Sequence, residues 1–346
     1  MSAPIDPWFT ANLACPIDRA AISDVAGDLM CAHGHRYPVV DGVPVMLRPD
    51  VPGTILLAEA SLQRTRGSGI DTRAPHLFLE SLGISEDEKR GVLELAARPG
   101  RIDPVVAYLV AATNGLMYRH LIGSLDEYPI PELTLPDGEG RLLVDVGCSW
   151  GRWSVAAARR GYSVLGIDPS LGAVMAARRV ASQLQLPTRY IVADARFLPL
   201  PENTIDCIYS YSVLQHFSHD DAAAAIAEMG RVLKQGGIAK VQMPTRFGLR
   251  CLYHQARRAF RTATGFEVRY WTLGALAEVF ARHIGTANFE VDGFFGIGLQ
   301  RADEPLMPPA LRRVLHASEG LKAVSRRFRP LVSVADSVFV EAIARA

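Results

Sequence analysis

The residues whose types and spacing could do chemistry begin at a loop of acid and glycine. Leu142-Leu143-Val144-Asp145-Val146 is an apolar run carrying an acid near its end, and Gly147-Cys148-Ser149-Trp150-Gly151 turns from it into an Ala-rich helical segment. A second run, Ser163 to Ile167, closes on Asp168, seventeen residues after Gly151. Acids at the carboxyl ends of parallel strands, with a glycine turn opening a helix between them, suit an adenosine-containing cofactor. The spacing also discriminates. A dinucleotide fingerprint G-x-G-x-x-G starting at Gly147 needs glycine where Ser149 and Arg152 stand. The loop reads D-x-G-x-S-x-G instead.

Further motifs follow in order. They are Leu165-Gly166-Ile167-Asp168, then Ala193-Asp194-Ala195 with Leu198-Pro199-Leu200-Pro201-Glu202-Asn203, then Ile205-Asp206-Cys207-Ile208 with Ser212-Val213-Leu214-Gln215-His216, and finally Leu233-Lys234-Gln235-Gly236-Gly237. Over about residues 140–245, roughly a third of the chain, this series resembles the class I, Rossmann-like family of S-adenosylmethionine (SAM)-dependent methyltransferases. One glycine loop alone is a weak signal; five motifs in sequence are a specific one.

The resemblance implies SAM as cofactor and assigns roles. Gly147 and Gly151 let the backbone approach the cofactor, with Cys148 of the same loop counted as cofactor-binding though its side chain reads as core packing, and the helix after them offers N–H donors to the methionine carboxylate. Asp145 is at the position that holds the amino-acid portion, directly or through water. Asp168, with Pro169, is placed at the ribose hydroxyls, Asp194 and Ala195 at the adenine, and Ser210 and Gln215 at the end of the fourth strand. His216 is the candidate general base, since imidazole has a suitable pKa. The family commonly carries histidine there without proton chemistry, so a structural role is favoured. Asp206 reads as a strand-edge acid.

The elements that must position these residues alternate from 141 onward. Strand-like runs fall at 141–146, 163–167, 189–193, 205–210, 237–243, 288–295 and 337–344, with helical segments near 152–160, 170–184, 220–233, 272–284 and 309–328. This predicts an α/β fold, a Rossmann-like doubly wound sheet with helices on both faces. The resemblance implies seven strands, the last antiparallel. A roughly 40-residue insert, 297–336, is expected on top of the sheet as a lid or substrate wall. Residues 49–140 are expected to form a linker (50–70) and a helical cover. In that cover Ser85-Glu86-Asp87-Glu88 looks like a cap, Pro104 to Met117 has helical periodicity, and Tyr118, Arg119 and His120 could reach the pocket.

Residues 1–48 read differently. Cys15-Pro16-Ile17-Asp18 and Cys31-Ala32-His33-Gly34-His35 precede Tyr37-Pro38-Val39-Val40 and Val43-Pro44-Val45-Met46-Leu47, which flank the hairpin turn Asp41-Gly42. This is similar to a Trm112-like zinc ribbon, a small β-ribbon, with Asp18 standing where the second cysteine of the first knuckle is expected. Cys15, Asp18, Cys31 and His35 offer a chemically sound zinc set. The sequence favours a degenerate ribbon held by its hairpin and packing, with zinc as the lesser alternative.

Composition bounds the rest. The 346 residues are 49% apolar and 21% charged with a formal net charge of +1, so no global field recruits nucleic acid. The longest purely apolar stretch, Val105 to Ala112, is far below the ~20 residues of a membrane span. Five scattered cysteines with no leader segment imply a reducing cytoplasm. Two basic, aromatic-bearing stretches, Pro244 to Arg261 and 309–329, read as solvated faces, or alternatively as sites for an anionic acceptor or a membrane surface. Neither an N-P-P-Y clamp nor a Pro-Cys nucleophile for nucleic-acid methylation is present. The leading expectation is methyl transfer to an oxygen of a small-molecule metabolite or glycan, with an anionic acceptor as the lesser reading of the basic stretches. The alternatives are an RNA or protein methyltransferase guided by the ribbon, and a non-catalytic SAM-binding partner. The oligomeric state is left open.

Overall fold

The computed structural model describes residues 5–67, 73–98, 100–114, 116–296 and 300–345. The end of the expected linker (68–70) and the start of the expected insert (297–299) lie outside the described residues. The chain opens with α1 (Pro7–Asn12), capped by the Asp6 carboxylate, which accepts from the Trp8 N–H at 2.9 Å. Three short antiparallel strands follow, β1 (Ile22–Val25), β2 (Asp28–Cys31) and β3 (Arg36–Tyr37). The Asp41-Gly42 turn then joins β4 (Val39–Val40) to β5 (Val43–Pro44), its two residues at φ 47° and 79° as a two-residue hairpin turn demands. Val45 bridges Val192 in parallel, and the Met46 N–H donates to the Val192 carbonyl at 2.7 Å. The ribbon's exit therefore covers one edge of the main sheet, which would otherwise be open.

The cover contains α2 (Leu56–Thr65), α3 (Glu86–Ala96) and α4 (Pro104–Asn114). The expected cap before α3 is a full capping box, with Ser85 and Glu88 bonding each other's backbone N–H. The periodicity reading of Pro104 to Met117 yields α4, after which the backbone tightens to a 3-10 helix from Leu116 to Leu121.

Seven strands form the main sheet: β6 (Leu142–Val146), β7 (Ser163–Asp168), β8 (Thr188–Val192), β9 (Ile205–Ser210), β10 (Leu233–Pro244), β11 (Asn288–Gly293) and β12 (Ser337–Ile343). Between them run α5 (Arg152–Arg159), α6 (Leu171–Gln183), α7 (His219–Val232), α8 (Leu249–Arg257), α9 (Leu273–His283) and α10 (Pro309–Ser325). The order is β11-β12-β10-β9-β6-β7-β8. Only β12 runs against its neighbours, antiparallel to both β10 and β11. The fold is Rossmann-like α/β, as the sequence implied. Central strands such as β6 and β7 are apolar on both faces because helices cover both sides. Strand β10 starts four residues earlier than the 237 expected, through an irregularity between Leu233 and Ile238. Helix α8 lies in the first basic stretch and is not among the helices expected from the sequence, because its apolar stripe faces solvent instead of the core.

Candidate functional site

Chain order reverses between β6 and β9, which lie side by side, so their carboxyl ends open a crevice. A cavity of about 1210 Å³ begins there. Gly147 follows β6 at φ +76°, and a Cβ added to it would lie 2.2 Å from a Val213 methyl. Only glycine lets the loop pass this close to the turn after β9.

Asp168, at the end of β7, borders the cavity. Its carboxylate accepts from the Ser149 N–H and the Ser170 N–H, both at 2.9 Å. These bonds fix its orientation and leave further lone pairs open to the cavity. Burial pushes the carboxyl up to about 6, against the two backbone donors that pull it down. Gln215, almost fully buried in the same wall, has an Oε1 with no hydrogen-bond partner among the described residues.

The predicted residues divide into two groups. Gly147, Asp168, Pro169, Asp194, Ala195, Gln215 and His216 border the cavity. Asp145, Cys148, Gly151 and Ser210 do not; they lie beneath it. Asp145 is fully buried, accepts from Ser154 Oγ at 2.6 Å, and is pushed up to about 7 by burial. Ser210 donates to the Val146 carbonyl at 2.9 Å, tying β9 to β6. Asp194 is engaged by Arg196, whose Nη2 lies at 2.8 Å. Tyr118 and His120 turn to Asp303 and the Leu306 carbonyl instead of the cavity.

His216 is a poor general base here. Its Nδ1–H donates to the Phe266 carbonyl at 2.8 Å, leaving Nε2 as acceptor of the Gln215 amide at 3.1 Å. Its ring stacks on Phe266 with centroids 3.8 Å apart, and burial pushes its pKa down to about 4. The ring is neutral at pH 7 and both nitrogens are used.

Sequence reasoning missed the polar groups that assemble the wall. Ser61 of α2 donates to the Pro169 carbonyl at 2.7 Å and accepts from the Leu171 N–H at 2.9 Å. Ser81 accepts from the Gly172 N–H at 2.7 Å. Two buried serines thus cap α6 from the cover. Arg152 at the start of α5 forms a buried ion pair with Asp303, which also accepts from Tyr118 Oη. Gln300 donates to Tyr211 Oη at 2.6 Å, and Tyr211 donates to Asp292 Oδ2 at 3.0 Å. Single serines and arginines carry no local signal of such partners. The expected lid is a brace: among the described residues, none from 300 to 336 borders the cavity. Across the opening, α8 contributes Arg250, His254, Arg257 and Arg258.

A second cluster lies in the ribbon. Ligand atoms of Cys15, Asp18, Cys31 and His35 all lie within 4.8 Å of one another. His35 Nδ1 is 3.5 Å from Cys15 Sγ, 3.4 Å from Cys31 Sγ and 3.0 Å from Asp18 Oδ2. Tetrahedral zinc with these ligand types separates its donors by roughly 3.3–3.8 Å. The donor set fits.

A Rossmann-like sheet with an acid-and-glycine crevice defines a protein suited to a nucleoside-containing cofactor. Comparison with known proteins narrows the class. A methyltransferase-domain family model matches residues 143–237. A methyltransferase from Geobacillus thermodenitrificans is 30% identical over 172 residues, 47% of this chain and 77% of its own. The malonyl-[acyl-carrier protein] O-methyltransferase of Serratia marcescens is 35% identical over 99 residues, 29% of this chain and 36% of its own. A SAM-dependent methyltransferase structure from Methanosarcina mazei superposes with a TM-score of 0.44 at 17% identity, covering 60% of this chain and 93% of that one. The chain belongs to the class I SAM-dependent methyltransferases, and SAM is its cofactor. The cavity residues fit that group: its ribose hydroxyls, ammonium and adenine amino group are donors, and Asp168 with the orphaned Gln215 Oε1 supplies acceptors.

Proposed function

We propose that the protein transfers the SAM methyl group to an oxygen of a small acceptor bearing an anionic group, such as a metabolite or glycan acid. The observation carrying this reading is the wall that α8 gives the cavity, with Arg250, His254 and Arg257 on one helix and Arg258 at its C-terminal cap. Guanidinium groups suit carboxylate and phosphate. The Serratia relative is named an O-methyltransferase.

When bound, SAM supplies a methyl group already activated on a sulfonium. The chain's residues hold, align and exclude water, which is worth ~7–11 kcal/mol when reacting atoms are near attack distance. Asp168 would hold the ribose hydroxyls and Gln215 Oε1 a donor group of the cofactor. Asp145 acts beneath the loop, fixing Ser154 and with it α5. Since His216 has no free lone pair, an acceptor oxygen already ionised, as in a carboxylate, suits this wall best.

Residues 141–346 would form the methyltransferase domain, 49–140 its cover, and 1–48 a ribbon that binds zinc through Cys15, Asp18, Cys31 and His35. Among the described residues no helix is long and apolar enough to cross a membrane, and we place the protein in the cytoplasm. Two measurements test these readings. Purified enzyme with SAM and a metabolite extract should yield a product heavier by about 14 daltons (one CH₂), retained on anion exchange before methylation. A product from a cationic or neutral acceptor overturns the anionic assignment. Metal analysis should give one zinc per chain in the native protein and none in Cys15→Ser/Cys31→Ser.

A further inference from the structure

Helix α8 has three sides. Cys251 and Gln255, one turn apart, are buried against the core. Arg250, His254 and Arg258, at the same spacing, border the cavity. The third side carries Leu249, Leu252, Tyr253 and Ala256 and faces solvent, with Leu249 67% and Tyr253 57% exposed. A solvated helix places polar residues on its outer side; this one places its largest apolar groups there. Neighbouring loops add to the same region: Phe247, Phe260 (65% exposed) and Phe266 (60%). Six of the twelve exposed large hydrophobic residues of the described chain thus fall between 247 and 266.

The charge there is one-sided. Residues 246–266 contain Arg246, Arg250, Arg257, Arg258 and Arg261 and no Asp or Glu, in a chain of net charge +1. Glu267 accepts from Arg261 at 2.6 Å and lies 3.9 Å from Arg258. Among the described residues, no carboxylate pairs with Arg246 or Arg257. Apolar groups and arginines interleave along the segment, with no dry centre enclosed by a charged rim as at a protein–protein interface. Interleaving suits a headgroup layer, where rings and aliphatic chains sink to the acyl boundary and guanidinium groups meet phosphate. Phe266 and Arg257 also border the cavity, so its mouth opens beside this surface.

We infer that the outer side of α8, with Phe247 and Phe260, docks the enzyme on an anionic lipid bilayer and turns the cavity mouth toward it. The inference is independent of the acceptor's identity. Full-length protein should co-sediment with vesicles of phosphatidylglycerol and phosphatidylcholine, release as salt is raised to screen the arginines, and ignore pure phosphatidylcholine. Leu249→Glu/Tyr253→Glu should reduce partitioning at least tenfold, and Arg246→Gln about fivefold, the equivalent of one basic contact. SAM affinity by calorimetry should be unchanged in all of these, which separates docking from folding and from the donor site. Val324→Glu/Phe328→Glu, on exposed apolar residues of the second basic stretch, should partition as the parent does. The proposal is overturned if the parent fails to bind anionic vesicles or if Leu249→Glu/Tyr253→Glu binds them equally well. It is equally overturned if that variant converts a dimer to a monomer, since a second copy would then be the occupant.

Discussion

The two walls of the cavity are built on different principles. The wall at β6 and β7 is local: Asp145, Gly147 and Asp168 lie within 24 residues of one another, and their backbone and side-chain bonds close among themselves. The opposite wall is assembled from 53–59, 82–88 and α8, brought together by tertiary packing. The donor side presents acceptor atoms in a dry setting; the α8 side presents cations near solvent. A pre-set donor site facing an independently variable cover lets one chemistry serve many acceptors.

The joint between the walls is the point where the comparison can be broken most severely. Arg152 begins α5 on the donor side, while Asp303 and Tyr118 come from the insert and the cover, and the ion pair is buried on both sides. Arg152→Met leaves a buried carboxylate without its partner and should cost about 3–5 kcal/mol in thermal or denaturant unfolding. Arg152→Met/Asp303→Leu should recover most of that loss. Equal stability of the single and double variants would show that the two regions are not coupled here.

Asp168→Asn addresses the donor wall alone. Losing two charge-assisted bonds to ribose should weaken SAM binding about 100-fold by calorimetry. The ligand-free protein should behave oppositely. A carboxyl raised from 3.8 to about 6 keeps its proton longer in the folded state than in the unfolded one. Stability therefore falls as pH rises from about 4 to 6 and stays lowered above that, by up to ~3 kcal/mol. The amide variant should consequently melt higher than the parent at pH 7.5. A lower melting temperature would assign Asp168 to the fold instead of the ligand.

The same shift predicts a pH dependence. Ribose hydroxyls donate to the ionised carboxylate, so SAM affinity should hold above pH 6 and fall about tenfold for each unit below it. Asp168→Asn should show a flat profile over that range. A parent profile flat to pH 5 would mean that the ligand does not need this charge.

How much was legible follows the same division. The sheet, the glycine loop and Asp168 were readable because apolar periodicity and short-range spacing encode them, and each strand from β6 to β12 was located within a few residues. Helix α8 was not, because its outward leucines and tyrosine and its inward Cys251 and Gln255 give no amphipathic pattern facing the core. Ser61 and Ser81 were invisible since their partners lie about 90–110 residues away, at the N-terminus of α6. Gly172 completes that contact: a Cβ there would lie 2.5 Å from the Phe78 carbonyl. Asp194 borders the cavity, but the Arg196 that occupies it carries no signal of that bond. The ribbon's four ligands were readable as types; their convergence to within 4.8 Å of one another is a property of the fold.

The smallest effect tests whether the walls are separable in function. Arg250 borders the cavity, and among the described residues its Nη1 reaches only the Phe295 carbonyl, at 3.3 Å. Its charge is therefore available to a ligand. Arg250→Gln removes that charge while keeping much of the side chain's volume. With the acceptor identified by its mass shift, the variant should raise KM for acceptor about tenfold, as one lost charge-assisted contact does. SAM affinity should stay within twofold, because no donor-wall residue bonds to Arg250. If SAM affinity falls in parallel with KM, α8 belongs to the donor site as well, and the division of the cavity into two independent walls is wrong.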